Sequence, residues 1–207
     1  MTQSRKENKQ KIQDLSILRH SASHIMADAV LQLFPNTKLA IGPAIEDGFY
    51  YDFDSAHTFV PEDLPKIEQK MKEIIKSNYK FIRKEMTVKE ALKFFNLRHE
   101  KYKVEILQDM LKQNQITHSN STATIYQHGN FIDLCKGPHI KSTAQLKYFK
   151  LLSIAGAYWR GDATRQQLQR IYGTAFFTKE DLETYLTALE EAKKNHQNVA
   201  ADSAIAI

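Results

Sequence analysis

A helix that has to be covered on more than one side constrains this chain most. Over residues 14–34, apolar side chains recur at helical spacing: Leu15, Leu18, Ala22, Ile25, Met26, Ala29 and Leu33. Pro35 and Asn36 then stop the helix. His20 and His24 stand one turn apart, roughly opposite that stripe, and Ile17, Ala27 and Leu31 lie near them. A helix with apolar residues on two sides packs on both. The rest of the fold must wrap it, and the two imidazoles with it.

The remaining 207-residue sequence offers both kinds of element for the wrapping. Strands are expected over 38–41, 49–53, 81–86, 122–127, 131–134, 149–159 and 168–177, with turns at Gly42-Pro43, Asp47-Gly48 and His128-Gly129-Asn130. Helices are expected over 62–78, over 102–111, and from a capping pattern at Thr178 to about His196. Thr87 and Glu90 form a capping box that opens a short helix ending near Phe95. The order has no regular βαβ alternation. The expected class is therefore α+β, with a largely antiparallel sheet and packed helices. One folded domain over 14–196 is expected between a polar lead-in (1–13) and a C-terminal tail (197–207).

Charge and cysteine content narrow the setting. The net charge of +5 is compatible with a nucleic-acid partner without requiring one. The lysines of the 62–78 helix read as a solvated face. Cys135 is the single cysteine, so no internal disulfide can form, which fits a reducing cytoplasm. The first 13 residues are polar and lysine-rich, unlike a signal peptide or a membrane span.

The chemistry concentrates in two pairs. His20 and His24 share one helix side; Cys135 and His139 flank a Lys-Gly-Pro turn after the apolar run Phe131 to Leu134. Three imidazoles and a thiol match the donor preferences of zinc, although structural zinc sites usually draw on more thiolates. A closed zinc cage, an open catalytic metal and a metal-free hydrolytic pocket all remain open at this point. A Cys–His nucleophile is a further option, weakened by the surplus histidine pair. Asp133, two residues before Cys135, shares its strand face and is placed to orient a histidine or a water.

Five segments then carry a resemblance. They are His20 to His24, Ala40 to Pro43 with Gly48 to Asp52, Asp133 to His139, Ala155 to Asp162, and Leu168 to Thr174. In that order they resemble the editing domain of bacterial threonyl-tRNA synthetase, over about residues 15–194. The related alanyl-type domains share the His and Cys/His skeleton but not usually the Gly-Pro step before the last histidine. The resemblance implies hydrolysis of serine wrongly esterified to tRNA(Thr), a double sieve in which the correct threonyl ester escapes. It implies catalytic roles for His20, His24, Lys103, Cys135 and His139, and substrate-binding roles for Tyr51 and Asp133. Lys103 would position water or steady the oxyanion, Asp133 would receive the serine amino group, and Tyr51 would line the pocket of the terminal nucleotide. No cofactor is expected to be required. If zinc is bound, His20, His24, Cys135 and His139 would hold it.

A complete synthetase of this kind also carries a ubiquitin-like domain, an aminoacylation domain and an anticodon-binding domain, and none fits here. The expectation is a free-standing or truncated editing domain that is not by itself a threonine–tRNA ligase. Its partners would be the tRNA acceptor end carrying serine and a separate threonyl-tRNA synthetase, with no membrane. The competing readings are a non-catalytic tRNA-binding or partner module of a split synthetase, and an alanine-type, zinc-dependent editor.

Overall fold

A computed structural model describes residues 3–117 and 122–205. Among the described residues there are five α-helices and eight strands, and the strands form two antiparallel sheets. The larger has the order β1-β3-β8-β7, from β1 (Lys38–Leu39), β3 (Gly48–Asp54), β8 (Gln167–Phe176) and β7 (Tyr148–Tyr158), with β2 (Ala44–Ile45) also on β3. The smaller has the order β4-β5-β6, from β4 (Ile82–Thr87), β5 (Thr122–His128) and β6 (Phe131–Leu134). Every pairing between these strands is antiparallel, and the α+β class expected from the element order is the class observed.

Helix α1 (Gln3–Leu33) is the axis of the molecule, and each residue from 21 to 30 is buried. Its apolar stripe joins one core with Phe49, Tyr51 and Phe53 of β3, Ile171 of β8, and Ile67, Met71 and Ile74 of α2 (Asp63–Lys76). The side bearing the histidines turns toward the smaller sheet. That sheet rests its other face on α3 (Val88–Leu97) and α4 (Lys101–Thr117), through Ala123, Ile125, Phe95 and Leu107. The wrapping demanded by a two-sided helix is thus met by two different sheets.

Several boundaries differ from the sequence expectation, among them the end of α4, which runs to Thr117 and not to 111. Helix α1 starts at Gln3, not at residue 14: the segment from Arg5 to Lys11 is rich in Arg, Lys, Glu and Gln, which favour helix. Helix α5 (Lys179–Ile205) runs through most of the segment read as an unstructured tail, where Ala200, Ala201 and Ala204 favour helix and no Pro or Gly intervenes. Met1, Thr2 and the last two residues of that tail lie outside the described residues. The strand expected over 38–41 shortens to Lys38–Leu39, although its pairing continues as Ala40 N–H to the Asp52 carbonyl (2.9 Å) and Asp52 N–H to the Ile41 carbonyl (2.9 Å).

The Thr87–Glu90 capping box forms as expected. The Glu90 carboxylate accepts from Thr87 N–H at 2.8 Å and the Thr87 hydroxyl accepts from Glu90 N–H at 3.2 Å. Asp63 does comparable work at the start of α2. Its carboxylate is 2% exposed and is met by the His57 ring (2.7 Å), Lys66 Nζ (3.0 Å) and Val60 N–H (3.2 Å). Burial alone would raise its pKa, but these hydrogen bonds outweigh burial and hold it at about 2. The depressed carboxylate stabilises the fold above its unfolded pKa and loses that effect as the pH falls toward 2. His57 and Lys66 are open to water, so screening leaves roughly 1 kcal/mol. Asp63→Asn should therefore lower unfolding free energy by about 1 kcal/mol at pH 7. In urea melts the gap to the parent should shrink between about pH 4 and pH 2, and a gap independent of pH would assign the loss to packing.

Candidate active site

Strand alternation in β6 delivers the second pair to the first. Phe131 and Asp133 are buried and face α1, while Ile132 and Leu134 turn to the core under α3 and α4. Cys135 continues the ladder by donating its N–H to the Thr124 carbonyl (3.0 Å), so its thiol falls on the side of Asp133. The chain then turns sharply at Gly137 and the cis Gly137–Pro138 peptide, which returns His139 to the same space. Gly137 has φ of +70°, and a Cβ there would lie 2.2 Å from the Tyr126 hydroxyl. Only glycine fits this turn.

The four side chains meet. Cys135 Sγ stands 3.3 Å from His20 Nε2 and 3.3 Å from His139 Nε2, and it also accepts from Gly137 N–H at 3.2 Å. The His139 ring centre is 4.4 Å from those of both His20 and His24. Phe81, just before β4, stacks flat on the outer face of His139 at 4.9 Å, and Tyr126 meets its edge at 4.5 Å. One donor atom from each of His20, His24, Cys135 and His139 lies within 4.8 Å of all the others. His24 Nδ1 is buried with no hydrogen-bond partner among the described residues. The donor set and its spacing therefore fit a tetrahedral cation such as zinc.

Beneath the cluster lies a closed polar floor. Lys103 Nζ donates to the Ala40 carbonyl (2.8 Å) and the Tyr51 hydroxyl (3.1 Å) and pairs with the Asp133 carboxylate, 2.6 Å from Oδ1. Tyr51 in turn donates to Asp133 Oδ2 at 2.6 Å. Lys103 and Asp133 are each 2% exposed and Tyr51 is 0% exposed, so none of the three meets solvent. Asp133 Oδ2 looks toward the cluster across 3.7 Å to His24 Nε2.

Burial sets the electrostatics. Desolvation lowers the pKa of His20, with the Asp133 charge and the Pro138 carbonyl opposing it in part. His24 and His139 fall well below the usual histidine range, first by desolvation and then by repulsion from neighbouring histidines, with Lys103 adding to the effect on His24. Desolvation pushes the Cys135 thiol up to about 12. Tyr51 is likewise raised, by burial and by the Asp133 charge. The cluster is three neutral imidazoles and a neutral thiol at pH 7. A cleft of about 210 Å³ opens beside it, lined by Ile17, His20, Pro43, Gly137 and Pro138.

All seven residues expected from the sequence converge here: four around the cluster and Lys103, Asp133 and Tyr51 beneath it. Three further residues escaped the sequence reading. Ser21 bonds His139, and a buried Asp28–His128 pair (3.1 Å) backs the cluster. Asp28 had a signal, since it lies one turn beyond His24 on the same helix side.

The chain is also similar to known proteins. Residues 123–172, which contain Asp133, Cys135 and His139, match the family described as the threonyl and alanyl tRNA synthetase second additional domain. The chain is 53% identical over 189 residues to a threonine–tRNA ligase of Wolbachia pipientis subsp. Culex pipiens, covering 91% of this chain and 29% of that protein. It is 54% identical over 192 residues to a threonine–tRNA ligase of Dehalococcoides mccartyi, covering 92% of this chain and 31% of that protein. The chain thus spans about three-tenths of the length of the curated relatives it matches. Among the described residues no helix is long and apolar enough to cross a membrane. On its motifs, its paired sheets around a histidine-bearing helix and these relatives, the chain belongs to the threonyl and alanyl tRNA synthetase second additional domain family, as an editing domain of the threonyl-tRNA synthetase type.

Proposed function

We propose that the cluster hydrolyses the ester between serine and the terminal adenosine of tRNA(Thr), with a separate threonyl-tRNA synthetase as the source of the mischarged substrate. The observation that carries this reading is the convergence of three neutral imidazoles, of which His20 lines a cleft, over a buried Lys103–Asp133–Tyr51 floor. Ester hydrolysis needs a base in its unprotonated form near pH 7, and buried imidazoles supply it. Water enters from the cleft and gives its proton to an imidazole as its oxygen bonds the ester carbon. The carbon–ribose oxygen bond then breaks, and the imidazole returns the proton to the ribose oxygen. Serine and tRNA with a free terminal hydroxyl leave.

Cys135 is not suited to be the nucleophile, because its thiol is pushed up to about 12 and stays protonated. Its place is in the wall, between His20 and His139. Asp133 and Lys103 act from below, where the carboxylate faces His24 and the ammonium balances it. His20, His24, Cys135 and His139 would hold zinc if it is bound, and the metal would supply a more acidic water and a polarised carbonyl. The reaction as proposed needs no metal, because the bases are already neutral.

The test is a side-by-side assay of tRNA(Thr) charged with serine or with threonine. Serine should be released at least about 10-fold faster, in keeping with discrimination by one methyl group. The preference should survive dialysis against a strong chelator. Equal release of both amino acids would overturn the substrate, and binding of uncharged tRNA without any release would favour a non-catalytic module. Loss of activity on chelation, restored by zinc, would establish the metal-dependent form.

A further inference from the structure

Ser21 stands between His20 and His24 in the sequence and is 0% exposed. Three polar atoms surround its hydroxyl oxygen: the Ile17 carbonyl at 2.8 Å, the Ile140 amide nitrogen at 3.0 Å and His139 Nδ1 at 3.1 Å. A hydroxyl offers one proton and two lone pairs. The Ile140 N–H can only donate, so it takes one lone pair. The Ile17 carbonyl can only accept, and two oxygens 2.8 Å apart require a proton between them. The only proton placed to lie there is that of Ser21 itself. Nothing is left for Ser21 to donate to His139. The third contact is attractive only if His139 Nδ1 carries a proton and donates it to the remaining lone pair.

A neutral imidazole has one ring proton, so with Nδ1 protonated the Nε2 atom is bare. His139 Nε2 is the atom 3.3 Å from Cys135 Sγ, on the side of the cluster. We propose that Ser21 is a positioning residue that selects the Nδ1–H tautomer of His139 and so presents the Nε2 lone pair to the pocket. The stacked Phe81 ring on the outer face keeps the imidazole from turning away. The consequence for catalysis rests on the deacylase reading: His139 Nε2 then faces the pocket ready to take a proton from water, and the other tautomer would point a proton there. The tautomer itself does not depend on that reading. The same lone pair is what a bound cation would need from His139, and the remaining ring N–H would be held in the way typical of metal-bound histidines.

The decisive measurement is a long-range proton–nitrogen spectrum of the full chain labelled at histidine nitrogen, recorded at pH 7 after chelator treatment. His139→Gln assigns the signals. His139 should show a protonated Nδ1 and a bare Nε2. In Ser21→Ala the pattern should invert or average between tautomers, and deacylation should fall about 10-fold or more with the substrate KM unchanged. Ser21→Thr, which keeps the hydroxyl, should restore both. A parent spectrum with Nε2–H at His139, or an unchanged tautomer in Ser21→Ala, overturns the proposal. If no deacylation is found in the parent, the spectra still decide the tautomer and the functional reading alone fails.

Discussion

Lys103→Met should cost about 3–5 kcal/mol of stability, the range for removing one partner of a buried ion pair. In a domain of this size that corresponds to a fall in melting temperature of roughly 10 °C. Methionine fills nearly the same volume, so a packing defect is not the source. The cost arises because Asp133 would keep only the Tyr51 hydroxyl in a site where both ion-pair side chains are 3% exposed. The Ala40 carbonyl and the Tyr51 hydroxyl also lose the ammonium proton each accepts or faces. The double variant Lys103→Met with Asp133→Asn removes the stranded charge, and calorimetry should show it more stable than Lys103→Met alone. Deacylation should stay low in both, since the single variant leaves Asp133 without its ammonium partner and the double variant removes the carboxylate that faces His24. A single variant that melts with the parent, or a double variant less stable than the single, would show that the Lys103–Asp133 pair does not hold the floor together.

The burial of Lys103 also marks where sequence reading stops. A lysine near the start of a helix looks like a surface residue. It is buried because Tyr51 on β3, Asp133 on β6 and the Ala40 carbonyl reach it from three distant parts of the chain. No local pattern carries that meeting. What local pattern does carry was legible: the two-sided apolar helix, the Thr87–Glu90 box, the alternation in β6, and the two spaced pairs. Alternation shows which residues share a face but not what lies opposite, so one antiparallel sheet was expected where there are two. His128 shows the same limit. It read as part of a turn, yet it closes β5 as a buried residue whose ring packs between Phe81 and Phe131 and bonds Asp28. Ser21 was hidden for another reason: a serine in a helix usually bonds its own backbone, as Ser21 does to Ile17, and the second contact appears only in three dimensions.

Gly137→Ala should reduce deacylation by about 100-fold while leaving the fold largely intact, because misplacing a reacting group by about 1 Å costs on that order. Two constraints act together at this residue. Its φ of +70° is strained for any residue with a Cβ, and the new methyl would start 2.2 Å from the Tyr126 hydroxyl and 2.5 Å from the ring carbon beneath it. The turn must therefore shift, and it carries Cys135 on one side and His139 on the other. Their shared 3.3 Å contact and the Ser21–His139 bond are set by that turn, whereas His20 and His24 on the buried helix are not. The damage is thus confined to half of the cluster. Enlarging the space with Tyr126→Ala in the Gly137→Ala background removes the collision but not the backbone strain, so part of the lost rate should return. Tyr126→Phe should rescue less, since the ring atoms at 2.5 Å and 2.6 Å remain. Full activity in Gly137→Ala would mean that the Cys135–His139 geometry does not limit the reaction, and the catalytic work would then rest with His20 and His24 alone.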